Sequence, residues 1–198
     1  MEIIETKVPV RHGKIVLYTG CMTSGKTSSM LTDIQRYKIA KKNCIIIKWT
    51  GDTRFGEDSV VVSHSGLRVS DVECKNLTSP MLDELTDSGM LDKYDIIGID
   101  EGQFFENIDK VAITLSSRGV QVLVSALNGT SDRKLFGSIY KLLPYLTCCI
   151  WKNAICMECG SEHGCYSYTD IVHKGDVLVG GTDIYKALCR TCYDAHYI

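Results

Sequence analysis

Short apolar runs alternate with amphipathic stretches over the first three quarters of this chain. The apolar runs predict buried strands at 14–20, 43–48, 94–100, 120–127 and 147–153. Helical periodicity or helix-start signals lie between them, at 26–42, 79–91, 107–118 and 136–143. Strands that alternate with helices of this length predict an α/β domain with a mostly parallel sheet flanked by helices.

Two segments depart from this alternation. Residues 50–76 are rich in Gly, Ser, Asp and charge, which predicts a loop with one or two polar strands. Beyond residue 153, Cys, Gly, Tyr and His crowd together and helical periodicity is lost. We therefore divide the chain into a leader (1–13), an α/β domain (14–153) and a small C-terminal module (154–198).

Composition excludes several classes of protein. The 198 residues carry 22 Lys and Arg against 24 Asp and Glu, without a long run of one sign. This balance argues against nucleic acid or a membrane surface as a partner. Neither a secretion signal nor an 18-residue apolar run is visible in the sequence. We expect a soluble, intracellular protein of the cytoplasm.

The first predicted strand runs into a phosphate-binding motif and then into a helix. The motif reads GCMTSGKT and fits the pattern G-x-x-x-x-G-K-[ST]. In such a loop, backbone amides surround a nucleotide phosphate, the lysine reaches the β and γ oxygens, and the final hydroxyl binds Mg²⁺. A Gly- and Ser-rich turn is the alternative, but the flanking strand and helix argue against it. The predicted loop comprises Gly20, Cys21, Met22, Thr23, Ser24, Gly25, Lys26 and Thr27.

The segment IDEGQFF supplies acids and aromatic rings at the end of another predicted strand. Asp100 fits the second Mg²⁺ ligand that a phosphate loop requires, although an acid capping a helix is the alternative. Glu101 can take a proton from the nucleophile that attacks the γ-phosphate. Phe104, with Phe105 beside it, can stack on a planar base. Acids at the phosphate end and rings at the base end indicate a nucleoside kinase.

Ten cysteines are present, and four of them form two C-x₂-C pairs. Two such pairs offer Zn²⁺ four thiolates and no open position, which predicts a structural site. Disulfides or unligated thiols are the alternatives, and Cys165, His163 and His173 are decoy ligands between the pairs. Cys21, Cys44, Cys74, Cys148 and Cys149 are interpreted as small buried hydrophobes. The predicted zinc ligands are Cys156, Cys159, Cys189 and Cys192.

From about residue 14 to 193 the chain resembles the type II thymidine kinases of animals, bacteria, phages and large DNA viruses. Ordered motifs carry the resemblance: GCMTSGKT, DTRFG, HSG, IGIDEGQFF, ALNGT, RKLFG, CMEC, VGGTDIY and CRTC. It implies a P-loop, RecA-like domain with a C-terminal zinc-ribbon and lasso module. The implied reaction transfers the γ-phosphoryl of ATP to the 5′-hydroxyl of deoxythymidine.

The resemblance also implies roles for individual residues. Glu101 would be the base for the 5′-hydroxyl, and Lys26 and Arg54 would offset developing charge in the transfer. Without the family, Asp52 and Arg54 would be interpreted as a solvated loop pair. The nucleotide side comprises the phosphate loop together with Asp52, Thr53, Arg54, Asp100, Glu101, Gly102 and Gln103.

The thymine would lie among side chains from several segments and under a lasso loop. The implied wall consists of Met22, Phe104, Leu127, Ser131 and Phe136. Without the family, Met22 and Leu127 would be interpreted as core residues. The lasso would read the base with main-chain groups, although a simple β-hairpin is the alternative. Its implied contacts are Asp176, Val177, Leu178, Val179, Gly180 and Tyr185.

Two positions depart from the family pattern. Ser131 stands where cellular members carry an aromatic residue, and Thr23 stands where a Phe is often seen. The first difference leaves selectivity between thymidine and deoxyuridine open. The resemblance further implies a homotetramer and feedback inhibition by dTTP. Two rival functions are a nucleoside or nucleotide kinase with another base preference, and an ATP-driven module that grips nucleic acid.

Overall fold

A computed structural model describes residues 12–51, 61–62, 68–69, 72–171, 180–181 and 183–196. The leader predicted over 1–13 lies almost entirely outside these residues. In chain order the elements are β1 (Ile15–Gly20), α1 (Lys26–Ile39), β2 (Cys44–Trp49), β3 (Val61–Val62), β4 (Arg68–Val69), β5 (Glu73–Leu77), α2 (Ser79–Asp87), β6 (Ile96–Ile99), the 3₁₀ helix η1 (Gly102–Phe104), α3 (Ile108–Ser117), β7 (Gln121–Leu127), the 3₁₀ helix η2 (Ile139–Tyr145), β8 (Cys148–Lys152), β9 (Tyr166–Tyr168), β10 (Lys186–Leu188) and α4 (Arg190–Ala195).

Six strands form one sheet in the order β5-β2-β6-β7-β1-β8, and every pairing in it is parallel. The carboxyl ends of all six strands therefore meet at one edge, where open α/β sheets bind their ligands. This confirms the predicted α/β class.

Helices cover both faces of the sheet because successive strand residues point to opposite sides. Val16 and Ile46 pack with Met30 and Ile34 of α1 on one face. On the other face, Ile45, Ile47 and Val122 belong to the cluster that holds α2, α3 and η2. Burial on both sides explains why these strands are apolar runs rather than alternating patterns.

The five predicted strands of the sheet are confirmed within one or two residues, and the sixth came from the polar segment. Strand β5 carries Glu73, Lys75 and Asn76 and pairs with β2 at one edge of the sheet. An edge strand tolerates polar residues because much of its surface faces water. The predicted helix at 136–143 is instead the 3₁₀ helix η2, which contains Pro144.

The C-terminal module is a two-stranded antiparallel hairpin of β9 and β10, followed by α4. Helical periodicity is not visible in the sequence beyond residue 153, yet Arg190–Ala195 forms a helix. Six residues are too few to display a helical period in the sequence. The domain boundary at residue 153 stays a prediction. Within the described ranges, no helix has the length and apolarity needed to cross a membrane.

Candidate active site

The phosphate loop joins β1 to α1 at the carboxyl edge of the sheet. Gly25 caps α1 with φ of 81°, a left-handed conformation that favours glycine. A Cβ built at Gly25 would meet no atom of the described residues within 4 Å, which leaves room for a ligand on this side of the loop. Among the same residues, no side chain caps the first turn of α1. Its N–H groups and the positive end of the helix dipole are therefore suited to an anion.

Two polar side chains of the loop are buried in it. Lys26 is 8% exposed, and its Nζ donates a hydrogen bond to the Cys21 carbonyl, 2.8 Å away. The Ser24 hydroxyl has no hydrogen-bond partner among the described residues although it is buried. A buried hydroxyl without a partner is costly, and a phosphate oxygen would satisfy it. The loop therefore fits a nucleotide phosphate.

The phosphate loop forms hydrogen bonds to residues much later in the chain. The backbone N–H of Met22 donates to the hydroxyl oxygen of Ser167 on β9, 3.0 Å away in a buried position. The Cys21 thiol donates to the Gly164 carbonyl at 3.2 Å. The C-terminal module thus contacts the phosphate loop directly.

Asp100 is a buried carboxyl at the carboxyl end of β6. Its Oδ1 accepts a hydrogen bond from the Thr27 hydroxyl, 2.9 Å away. Strand β7 lies between β6 and β1, so the acid is not on the strand next to the loop, and β7 contributes Ser125 near Thr27. Burial and the charge of Glu101 raise the pKa of Asp100 to about 6, although hydrogen bonds from Thr27 and Ser125 oppose the rise.

A divalent cation bound beside Asp100 would offset the cost of burying its negative charge. Hard oxygen ligands such as the Asp100 carboxylate and the Thr27 hydroxyl are those that Mg²⁺ prefers. Their separation of 2.9 Å fits neighbouring positions around one ion. The residues present therefore fit the predicted metal.

Glu101 follows in an unusual backbone conformation. Its φ and ψ of 54° and 43° lie in the left-handed region, and η1 begins at the next residue. Gln103 is 3% exposed, and its Nε2 donates to Glu101 Oε2 at 2.5 Å. The Gln103 Oε1 accepts from the backbone N–H of Leu127 at 3.1 Å. The predicted base is thus joined through Gln103 to the end of β7.

Aromatic rings gather immediately after these acids. Phe104 stacks on Trp49 with ring centroids 4.2 Å apart and an interplanar angle of 20°. Phe136 meets Phe104 edge-on, with centroids 5.4 Å apart. Phe105 is instead buried in the core at 1% exposure, so the structure excludes it from a base-stacking role. The ring cluster of Trp49, Phe104 and Phe136 is suited to a planar ligand.

The loop that carries Ser131 is attached to the C-terminal module. The Tyr193 hydroxyl donates to the Ser131 carbonyl, and Arg133 forms an ion pair with Asp194 at 2.7 Å. The Arg133 guanidinium also lies 4.5 Å from the centre of the Tyr193 ring. Helix α4 therefore fixes the position of this loop.

Several predicted site residues lie outside the described part of the chain. These are Asp52, Thr53, Arg54, Asp176, Val177, Leu178 and Val179. At the end of the predicted lasso, the Tyr185 N–H donates to the Gly181 carbonyl at 2.9 Å, next to Gly180. The roles of these residues stay predictions.

The four predicted cysteines form one cluster. The Sγ atoms of Cys156, Cys159, Cys189 and Cys192 lie within 4.8 Å of one another, and those of Cys159 and Cys189 are 3.7 Å apart. Tetrahedral zinc with Zn–S bonds of about 2.3 Å places its sulfurs about 3.8 Å apart. The cluster therefore has the dimensions of a zinc ribbon site.

The electrostatics of one ligand agree with this. Burial raises the pKa of Cys156, but hydrogen bonds from the backbone N–H groups of Cys159, Cys189 and Glu158 outweigh it, and the pKa falls to about 6. A thiolate is the form that binds zinc. All ten cysteines lie in the described part of the chain, and none of them forms a disulfide there.

The remaining cysteines only partly match the prediction of buried hydrophobes. Cys21 and Cys44 are buried, and burial raises the pKa of both thiols. Cys148 and Cys149 are exposed and Cys74 is half-buried, so the prediction is wrong for these three. All three lie on β8 or β5, the two edge strands of the sheet, where fewer neighbours cover a side chain.

Four contributors to the site were missed by sequence reasoning. Ser125 could have been found, because it is a single Ser inside an apolar strand. Trp49 could have been found as a Trp at the end of a strand. No sequence signal connected Ser167 or Tyr193 to the phosphate loop or to the Ser131 loop.

A parallel sheet with a phosphate loop after β1 and a buried acid after β6 defines a P-loop nucleotide-binding protein of the α/β class. A protein-family model described as "Thymidine kinase" matches residues 13–193. The chain therefore belongs to the thymidine kinase family.

Individual relatives agree with this assignment. The chain is 37% identical over 183 residues to "Thymidine kinase" of Fowlpox virus (strain NVSL), with 91% of this chain and 97% of that protein covered. It is 34% identical over 184 residues to "Thymidine kinase" of Choristoneura fumiferana entomopoxvirus, covering 91% and 96%. It is 35% identical over 187 residues to "Thymidine kinase 1" of Dictyostelium discoideum, covering 92% and 78%.

Proposed function

We propose that this protein transfers the γ-phosphoryl of ATP to the 5′-hydroxyl of deoxythymidine, giving dTMP and ADP for DNA synthesis. The observation that carries the proposal is the turn at 101–104. It presents a carboxylate beside the Asp100 and Thr27 pair and then a ring stacked on Trp49. A water nucleophile would not need an aromatic wall, whereas a nucleoside does.

At the phosphate end, the proposed binding groups are the amides of residues 20–27, the Ser24 hydroxyl and the Lys26 ammonium. Thr27 and Asp100 would hold Mg²⁺, which when bound offsets negative charge on the β- and γ-phosphates. Arg54 and Asp52 are proposed to act here on family resemblance alone. Positive charge from Lys26 and Arg54 would stabilise the transferring phosphoryl group.

At the transfer step, Glu101 is proposed as the general base. The 5′-oxygen forms a bond to the γ-phosphorus while its proton passes to the Glu101 carboxylate. The bond from the γ-phosphorus to the bridging oxygen breaks, and the electron pair leaves with ADP. Proton transfer of this kind contributes about 10²- to 10⁴-fold to rate.

At the base end, Phe104 is proposed to stack on thymine with the face that Trp49 does not cover. Phe136, Leu127, Met22 and Ser131 would complete the wall. The lasso residues Asp176 to Gly180 and Tyr185 are proposed to close over the base, again on family resemblance. The smaller Ser131 side chain leaves more room beside the base than an aromatic residue would.

The cysteine cluster is proposed to hold a structural Zn²⁺. Four thiolates leave no open coordination position, so the ion would stabilise the module rather than react. It would fix the hairpin that supplies Ser167 to the phosphate loop and the helix that supplies Tyr193 to the Ser131 loop. Zinc ligation by four thiols suits a reducing compartment, which supports the proposed cytoplasmic location.

We further propose a homotetramer and inhibition by dTTP. Strand β8 is an outer strand of the sheet, and its Trp151 is 56% exposed. Leu143 and Tyr145 of the preceding η2 are 58% and 55% exposed. An exposed edge strand with apolar neighbours is suited to pairing with a second copy. The nucleotide dTTP carries the same base as the substrate, so it can occupy the nucleoside pocket.

A kinase assay tests the function. Purified protein with ATP, Mg²⁺ and thymidine should produce ADP and dTMP in equal amounts, and the rate should fall about 10²- to 10⁴-fold in Glu101→Gln. Deoxyuridine and deoxycytidine in the same assay measure base selectivity. ATP hydrolysis that ignores thymidine and is stimulated by DNA would overturn the proposal.

A further inference from the structure

Both polar atoms of the Gln103 side-chain amide form hydrogen bonds. Gln103 is 3% exposed, and its Nε2 donates to Glu101 Oε2 while its Oε1 accepts the Leu127 N–H. A carboxylate can only accept and a backbone N–H can only donate, so the amide can satisfy both in one orientation alone. Gln103 therefore presents an N–H donor to Glu101 in a fixed direction.

The backbone around Gln103 is held from outside the turn. Gly137 has φ of 57°, and a Cβ at this position would lie 2.3 Å from the Gln103 carbonyl oxygen. The chain at Gly137 therefore packs directly against the backbone of η1. Together with the Leu127 contact, this fixes Gln103 to two segments outside its own turn.

Glu101 is the residue on which this fixed donor acts. Its side chain is half-buried, and its backbone is in the left-handed region that residues other than glycine adopt uncommonly. A long side chain on such a backbone has several accessible rotamers. A buried donor 2.5 Å from Oε2 selects one of them.

We infer that Gln103 is a positioning residue that orients the Glu101 carboxylate for proton abstraction, rather than a nucleotide ligand as the resemblance implied. The inference rests on the proposed role of Glu101 as the base. Groups that hold a catalytic side chain in its productive geometry act on the chemical step, because small displacements of a reacting group reduce the rate strongly. Substrate binding should change little.

The test is a double-mutant cycle between Gln103→Met and Glu101→Ala. Methionine keeps the length of the side chain but neither donates to Glu101 nor accepts strongly from Leu127. We expect Gln103→Met to lower kcat about 10- to 100-fold, with KM for thymidine and for ATP within about threefold. In the Glu101→Ala background, Gln103→Met should have no further effect on kcat, because it acts through Glu101.

Two further variants keep the test decisive. Gln103→Asn retains an amide and therefore folds more readily, but it is one methylene too short to bridge both partners, so its kcat should also fall. Gln121→Met is the matched control. It removes the hydrogen bond that Gln121 Nε2 donates to the Tyr37 hydroxyl, at the opposite end of β7 from Leu127. Its kcat should stay within about twofold of the unmodified enzyme.

The outcomes separate this inference from the proposed function. If Glu101→Ala retains full thymidine phosphorylation, the base assignment is wrong and this inference falls with it. If Glu101→Ala is slow but Gln103→Met is fully active, only the positioning role is wrong. The positioning role is also wrong if Gln103→Met lowers kcat further in the Glu101→Ala background. It is wrong as well if Gln103→Met raises KM for ATP and leaves kcat unchanged.

Discussion

Ser167 on β9 accepts a hydrogen bond from the backbone N–H of Met22, 3.0 Å away and 145 positions earlier in the chain. The C-terminal module is thereby part of the phosphate site rather than an appendage to it. Loop N–H groups that do not face a ligand need other partners, and here one partner is a serine of the C-terminal module.

Replacing this serine tests the connection. In Ser167→Ala the buried Met22 N–H loses its acceptor, so we expect a loss of about 1–3 kcal/mol in the free energy of unfolding. Denaturant unfolding measures it. Ser117→Ala is the matched control, because the Ser117 hydroxyl is exposed on α3 and its loss should cost less than about 0.5 kcal/mol. Equal stabilities for the two variants would show that the contact contributes nothing.

The buried carboxyl of Asp100 should make stability depend on pH. Its pKa rises from 3.8 to about 6 on folding, so the folded state holds the proton more tightly. The resulting stabilisation is present below pH 3.8 and is lost as the pH rises through about 6. In the absence of Mg²⁺ and nucleotide, Asp100→Asn should therefore become more stable than the unmodified protein by about 1–3 kcal/mol at neutral pH.

Unfolding free energies from pH 4 to 8 check this prediction. Asp132→Asn is a suitable control, since the Asp132 side chain is 63% exposed. Its difference from the unmodified protein should stay flat over the same pH range. An Asp100→Asn difference that is equally flat would contradict the burial argument.

Metal analysis checks the cysteine cluster. We expect about one zinc ion per chain, and a strong chelator should lower both the melting temperature and the thymidine kinase activity. Cys159→Ser should lose most of the zinc. Cys148→Ser should keep it, because Cys148 is exposed on β8 and lies outside the cluster. Full zinc content in Cys159→Ser would rule out the four-thiolate site.

We expect Trp49 to contribute to thymidine binding and its fluorescence to respond to the bound nucleoside. In Trp49→Leu the Phe104 ring loses its stacking partner, so we expect KM for thymidine to rise about 2- to 13-fold, equivalent to the roughly 0.5–1.5 kcal/mol of an aromatic pair. KM for ATP should stay within about twofold, because the ring on which Trp49 stacks belongs to the proposed base site.

The chain has only two tryptophans, which makes fluorescence specific. In Trp151→Phe the emission comes from Trp49 alone, and thymidine should change its intensity. Trp151 is 56% exposed on β8, so this substitution should leave catalysis intact. An emission spectrum that thymidine does not alter, at concentrations that support turnover, would remove Trp49 from the pocket.

Much of the fold could be predicted from the sequence, because each element is indicated by a short continuous stretch of residues. The buried strands are apolar runs, and the phosphate loop is eight consecutive residues between a strand and a helix. Strand β5 was harder to place because its residues are polar and its partner, β2, is set by the sheet order. Helix α4 was missed because six residues do not complete a recognisable period.

The candidate site divides in the same way. Sequence alone was enough to predict the phosphate loop, the adjacent acids, the aromatic residue after them and the paired cysteines, because each depends on residue types at fixed short spacing. The three-dimensional structure was needed to show that Trp49 lies against Phe104, that Gln103 joins Glu101 to Leu127, and that Ser167 accepts a hydrogen bond from Met22. These contacts join segments brought together by the strand order and by packing over the whole chain, and no local pattern of residues encodes such distances.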